Sequence, residues 1–256
     1  MFFAPKDVYP ACGVYTTGHL ISTLICFLSV AFFVFLFRRT KLERVYFAIR
    51  VLAVVLTALE SVKIFHNFYW GYTNIDSWVP LSFCSLFIYA CYLSGYGRGR
   101  LRSFGNSFIV IGGIVGGFVF VCMPTTSLTM YPIFHFQSLY SLLFHSLMMT
   151  AGVLLLKNGI RPTRKLFNYY VIFFGVFAAV ALIINSTLGS NLMTLREPYK
   201  LPIDFLQVLQ KEMPAAYTAL GVVAHIVLPF CVMRVVDKIY FGTKDRRRYK
   251  KITAEL

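Results

Sequence analysis

The chain has 256 residues, 58% hydrophobic and 17% aromatic with only 14% charged, and its mean hydropathy is +0.68. That composition excludes an ordinary soluble domain and predicts a polytopic membrane protein solvated mostly by lipid. The net charge of +15 does not signal nucleic-acid binding, because a binding module gathers Lys and Arg on one face and here they fall between long apolar runs.

A helical span needs about 20 largely apolar residues, since backbone groups in hydrocarbon must be satisfied within the segment. Seven segments meet this, at 17–37, 44–70, 78–96, 104–123, 134–156, 166–184 and 214–236. They predict an all-α seven-helix transmembrane domain over residues 1–240, followed by a basic cytoplasmic tail over 241–256. The first run is read as a retained helix rather than a cleaved signal, because only the cation Lys6 precedes it and it is full length and followed by Arg38 and Arg39.

Short loops rich in Lys and Arg stay in the cytoplasm, and here the alternation is clean. Arg38, Arg39, Lys41 and Arg44 follow segment one, Arg98, Arg100 and Arg102 follow segment three, and Lys157, Arg161, Arg164 and Lys165 follow segment five. The last helix ends in Arg234, Lys238, Lys244, Arg246, Arg247, Arg248, Lys250 and Lys251, whereas Lys6, Arg196, Lys200 and Lys211 fall outside. The N-terminus is therefore expected outside, the C-terminus inside, and the protein in the cell membrane. The tail serves topology alone or also lies on anionic headgroups, an attraction of about 1 kcal/mol per residue.

Gly112, Gly113, Gly116 and Gly117 on segment four mark a face for close helix packing. The external loop 187–213 carries apolar residues at helical spacing, Phe205, Leu206 and Leu209. A short interfacial helix over 201–211 acting as a lid, or a plain connector, both satisfy that pattern.

Ionisable residues within spans are costly and tend to face protein or water at functional places. Besides Arg50, segment two carries Glu60, Lys63 and Asn67 at i, i+3, i+7, which puts all three on one face and lets Glu60 pair with Lys63. His66 points elsewhere. Pro80 suits a first helical turn, so Cys84 is expected early in the third helix. Ser138, Ser141 and His145 share a face of segment five, with His135 near its outer end and His225 deep in segment seven. At about 1.5 Å per residue, Cys84 lies about 9 Å below the outer ends and His145 and His225 about 16 Å.

Six dispersed cysteines, Cys12, Cys26, Cys84, Cys91, Cys122 and Cys231, form no CxxC pair and carry no zinc-type histidine spacing, so no metal or cofactor is expected. Only Cys12 and Cys122, both near predicted outer ends, are candidates for a disulfide.

At these residues the sequence resembles the YwaF-like integral membrane family, whose eukaryotic relative is transmembrane protein 164, over most of the chain. Glu60, Trp70-Gly71 and Val79-Pro80-Leu81-Ser82-Phe83-Cys84 are similar to the family's acidic residue, Trp-Gly turn and Leu-Pro-Leu-x-x-Cys. His135 to His145 resembles its His-x9-His stretch, and Asn185 to Met193 its Asn-x-x-x-Gly-x-Asn-Tyr-Met. The chain departs from the pattern at Val79, at Leu192, and after Asp204, where a Gly-Pro-x-Pro-Trp is absent.

The resemblance implies a phospholipid acyltransferase, or a lipase if water is the acceptor, with Cys84 as nucleophile and His145 as general acid/base. Phospholipids and lysophospholipids would be its partners, and no nucleic acid. Lys63 would hold a headgroup phosphate or balance Glu60, Asn185 and Asn191 would supply hydrogen bonds, Asn67, His135 and Ser141 would support the site, and His225 would be the substitute base.

The competing class is a transporter or channel with a polar intramembrane path, which an odd helix number and the lack of a visible repeat count against. A receptor and a structural role are further readings. A retinal protein is disfavoured because segment seven has no Lys for a Schiff base.

Overall fold

The computed structural model describes residues 1–198 and 203–254, with side chains through Tyr240. Lys200, Leu201 and the side chains of the basic tail therefore lie outside the described residues. The described chain is all helical, with no strand: α1 (Thr17–Leu36), α2 (Leu42–Tyr69), α3 (Ile75–Trp78), α4 (Leu86–Tyr96), α5 (Arg100–Phe108), α6 (Ile114–Cys122), α7 (Phe136–Lys157), α8 (Arg164–Leu188), α9 (Asp204–Glu212) and α10 (Pro214–Ala254). A single π-helical turn, Ile109–Gly113, joins α5 to α6 so that Arg100–Cys122 runs as one rod. Thr16 and Thr163 cap α1 and α8 by accepting from the amides of His19 and Leu166. Gly189, at φ 68°, ends α8 in the left-handed conformation that glycine adopts freely.

Among the described residues six helices are long and apolar enough to cross a membrane: α1, α2, the α5–α6 rod, α7, α8 and the part of α10 up to Tyr240. The third predicted segment differs from expectation. Instead of one helix over 78–96 there is the four-residue α3, an irregular stretch through Ser85, and the 11-residue α4. Val79 sits at φ −76°, ψ 117°, the extended conformation that a following proline imposes, and Pro80 has no N–H to give to a helix. Ser82 and Ser85 then bond each other through their hydroxyls, 2.7 Å, and Ser85 N donates to Ser82 Oγ. Pro80 is thus not in a first turn, and Cys84 lies in the turn before α4 rather than inside it.

The α7 helix is the centre of the bundle and its most buried span, packed against α1, α2, α6 and the π turn. Around it α4 lies against α2 and α5, α8 against α5, and α10 against α8 and α9. Gly105 brings α4 and α5 closest, since a Cβ there would lie 2.4 Å from both Ala90 O and Ser94 N. Beside this contact Ser94 Oγ donates to Asn106 Oδ1 and Asn106 Nδ2 to Tyr46 Oη, tying α2, α4 and α5 together. Because both neighbours of that Cβ are backbone atoms, Gly105→Ala should destabilise the protein by about 3 kcal/mol. A thermal melt in detergent matching wild type would refute this close approach.

At the end of the bundle that carries the α7–α8 connection, Arg161 Nη1 and Asp237 Oδ1 form a buried ion pair at 2.9 Å, and Arg234 Nη1 donates to Pro162 O. These join the α7–α8 connection to α10. The latter helix continues to Ala254, through residues expected to form a separate tail.

At the opposite end, the N-terminal segment straps α2 to α7. Phe136 N donates to Phe2 O, Trp70 Nε1 to Phe3 O, and both His66 Nε2 and His135 Nε2 to the single carbonyl of Ala4. The other nitrogen of each ring is also bonded, His135 Nδ1 accepting from Gln137 N and His66 Nδ1 lying 3.1 Å from Gln137 Nε2. Burial pushes the His135 imidazole below its ordinary value, while the bond to Ala4 partly opposes this and nearby His66 adds to it.

A depressed folded value means that the unfolded chain takes up the proton first. Stability contributed by His135 is therefore present above about pH 6.5 and is lost as pH falls through the lower folded value. Hydrogen exchange at the Phe136 amide should accelerate between pH 7.5 and pH 5 beyond the intrinsic rate change, and His135→Gln should flatten the response. Equal protection at both pH values would contradict it.

Candidate functional site

Polar groups inside the bundle must find partners, so the informative ones are those that do not. On α2, Glu60 is buried and pairs with Lys63 Nζ at 2.5 Å, as the i, i+3 spacing predicts. Its second oxygen accepts from Tyr140 Oη of α7. Asn67, one turn further out, donates to Ser77 O and accepts from Gln137 Nε2 at 3.1 Å. Tyr140 and Gln137 were not legible as partners in the sequence. They lie on a different helix, and only the α2–α7 packing brings them in.

The five histidines separate by hydrogen bonding. His19, His66 and His135 each use both ring nitrogens: His19 Nδ1 accepts from Tyr15 N and Nε2 bonds Val121 O, and the other two hold the N-terminal strap. His145 and His225 differ. His145 Nδ1 bonds Ser141 O at 2.6 Å and His225 Nδ1 bonds Gly221 O at 2.8 Å, each the carbonyl one turn back. A carbonyl only accepts, so Nδ1 carries the proton in both and Nε2 keeps a lone pair. Among the described residues neither Nε2 has a hydrogen-bond partner, and that of His145 is fully buried.

Packing fixes these rings. His145 stacks on Phe120 of α6 with centroids 3.6 Å apart and planes within 5°, and meets Phe144 edge-on at 5.4 Å. Gly117 lets α6 come this close, because a Cβ there would lie 2.7 Å from His145 O. Ser138 Oγ, two turns out on the same α7 face, is also buried without a partner. His225 stacks on Phe174 of α8 at 5.7 Å and packs against Phe83 at 5.0 Å. Tyr170 Oη donates to His225 O, fixing α8 to α10 at this level.

Cys84 follows Phe83 in the turn that precedes α4, half-buried against the apolar core, and its Sγ makes no hydrogen bond among the described residues. Phe83 fills the space over Gly112 and Gly116. The glycine face expected to pack a neighbouring helix does so at Gly113 and Gly117, which lie against the α7 backbone, while Gly112 and Gly116 receive the Phe83 ring from the broken third segment. Cys84 and His145 do not bond each other, and the histidine packed beside Cys84's neighbour is His225.

Asn185 and Asn191 organise the loop after α8. Asn185 Oδ1 accepts from Ser190 Oγ and Leu192 N, and its Nδ2 donates to Leu192 O. Asn191 Oδ1 accepts from the amides of Arg196 and Glu197, while Asn191 N donates to the Asp76 carboxylate of α3. Both side-chain amides are thus committed to the loop. Cys12 and Cys122 are free thiols. Among the described residues no three His, Cys, Asp or Glu side chains gather closely enough to hold a metal ion.

Fold and site together define a membrane protein of apolar helices whose interior holds two neutral histidines with open Nε2 lone pairs. The chain belongs to the TMEM164 family, which it matches over residues 14–234. No curated protein and no solved structure gave a match.

Proposed function

We propose that the protein is a membrane-embedded phospholipid acyltransferase that works through a thioester on Cys84. The observation that carries this reading is the fixed tautomer of His145, whose buried Nε2 lone pair has nothing to accept from. Leaving such an acceptor unpaired costs about 1–3 kcal/mol, which a purely structural histidine would avoid. Support also comes from the helix break around Cys84. Irregular backbone at membrane depth is tolerated where it is buried in protein or lines a cavity, and such breaks occur at sites. With the break counted as a crossing, the chain spans the cell membrane seven times, N-terminus outside and C-terminus inside, as its Lys and Arg distribution favours.

In the proposed reaction, histidine Nε2 takes the Cys84 proton as sulfur attacks an ester carbonyl of a phospholipid. The ester C–O bond breaks, the imidazolium protonates the departing lysolipid oxygen, and the acyl group remains as a thioester. A second lysolipid hydroxyl gives its proton to Nε2 and attacks the thioester, and the C–S bond breaks to regenerate the thiol. His145 is the first candidate for the base, and His225, packed on Phe83, is the alternative. Glu60 and Lys63 lend the site its charge pair, with Lys63 one quarter exposed and able to turn to a phosphate. By this reading α9, with Phe205 and Val208 exposed, lies in the outer interface as a lid.

The test uses purified protein in liposomes with a labelled phospholipid and an unlabelled lysolipid. Label appearing in a new diacyl lipid supports transfer, and free labelled fatty acid alone supports a lipase. Broken helices are also a feature of transporters. Potential-driven solute flux with no lipid product would replace the enzyme by a transporter.

A further inference from the structure

Arg50 is a cation without a counter-charge inside an apolar helix. The 28 residues of α2 reach about 42 Å, the thickness of a bilayer with its headgroups, and Arg50 lies about 12 Å from the start at Leu42. Its Cα therefore sits about 6 Å into the hydrocarbon. A guanidinium keeps its charge there, and an unpaired charge at that depth is costly. Among the described residues Arg50 makes no ion pair and no hydrogen bond, and its Nε is fully buried.

The surroundings supply no acid. From Ser85 to Phe108, the stretch that forms α4 and α5 beside this part of α2, there is no Asp or Glu, and α7 and α8 carry none either. On α2 itself Glu43 is exposed at the helix start and makes no ion pair, while Glu60, about 15 Å further along, is committed to Lys63 and Tyr140. A second cation adjoins instead. Arg102 of α5 holds its guanidinium 4.3 Å from the centre of the Tyr46 ring, one turn before Arg50 on α2, and its Nε donates to Gly97 O. Its Nη groups have no hydrogen-bond or ion-pair partner among the described residues.

Gly95 sets Arg50 against the same end of α4, since a Cβ there would lie 2.7 Å from Arg50 Cγ and 3.2 Å from its Cα and N. Side chains on a helix lean towards its N-terminus, which carries the Arg50 head back towards the level of Tyr46. The two guanidinium groups thus flank the Gly95-Tyr96-Gly97 end of α4, beside the exposed Arg98 and Arg100. We infer that this corner holds a phosphate-type oxyanion between Arg50 and Arg102, borne by a headgroup or free in solution. Guanidinium forks bind such an anion through charge-assisted, bidentate hydrogen bonds, and it would compensate both cations while joining α2 to the α4–α5 connection. The 11 residues of α4 separate this corner from Cys84 by about 16 Å, so the anion is not the substrate and the site does not rest on the acyl-transfer reading.

The test reads stability rather than turnover. Full-length protein, stripped of lipid in an uncharged maltoside detergent, is melted with increasing phosphatidylglycerol, diacylglycerol or inorganic phosphate, the last against chloride of equal ionic strength. The melting temperature should rise saturably with an oxyanion and stay level with diacylglycerol and chloride. A response to phosphatidylglycerol alone identifies a headgroup as the source, and a response to inorganic phosphate identifies a free ion. Either supports the site when Arg50→Gln and Arg102→Gln each raise the half-saturating concentration about tenfold or more. In detergent alone Arg50→Gln should melt no lower than the wild type, because it removes an uncompensated charge. If Arg50→Gln does not fold, Arg102→Gln carries the comparison. No saturable response to either oxyanion, an equal response to diacylglycerol or chloride, or a response unchanged in the variants would each overturn the inference.

Discussion

Cys84→Ala should abolish acyl transfer, lowering the rate of labelled lipid formation by about 10³-fold or more, as loss of a covalent nucleophile does elsewhere. The substitution is chemically informative because Cys84 Sγ makes no hydrogen bond among the described residues and lies only half-buried at the edge of the core. Removing it leaves no orphaned partner, so stability should change by no more than about 1 kcal/mol. Lost activity in a protein with a near-normal melting temperature would then report chemistry rather than folding. Retained activity in the Ala variant would eliminate the thioester.

The base can be assigned in the same assay. His145→Ala should slow transfer by about 10²- to 10⁴-fold, the range for a general acid/base, and His225→Ala should act mainly on binding. The opposite result would transfer the role to His225, whose ring packs against Phe83 beside the thiol.

Glu60→Ala should destabilise the protein by about 3 kcal/mol. Glu60 is buried and serves two partners, Lys63 and Tyr140. Without it a cation and a hydroxyl within the bundle lose their acceptor, and an uncompensated buried charge costs about 3–5 kcal/mol. The lower end applies because Lys63 is one quarter exposed and can turn towards water or headgroups. The double variant Glu60→Ala/Lys63→Ala should recover much of the loss, since it removes the stranded cation along with its partner. A melting temperature unchanged by Glu60→Ala would mean that the pair contributes nothing to the fold. If Lys63→Ala alone spared stability but raised KM for the phospholipid, Lys63 would be a headgroup ligand rather than a structural partner.

Much of this architecture is legible from local pattern. The six long spans follow from apolar runs, because a helix in lipid satisfies its own backbone and length alone decides whether it can cross. The Glu60–Lys63 pair follows from helical spacing, and of the two readings the periodicity of Phe205, Leu206 and Leu209 leaves open, a helix over 201–211 or a plain connector, the described residues hold a helix over Asp204–Glu212. The third segment was misread because hydropathy does not register the loss of one N–H donor. Pro80 fits a first helical turn as well as a break, and the choice lay with Ser82, Ser85 and the seat that Phe83 finds on Gly112 and Gly116.

The sequence by itself determined the solvent, the helical class and the set of polar residues carried into the bundle, because these depend on composition and on spacing within one helix. The tertiary structure decided what each polar residue does, because hydrogen-bond satisfaction depends on which other helix arrives opposite. Five histidines look alike in the chain. Contacts with Ala4, Gln137, Tyr15 and Val121 complete both nitrogens of three of them, and the packing leaves His145 and His225 each with one nitrogen free among the described residues.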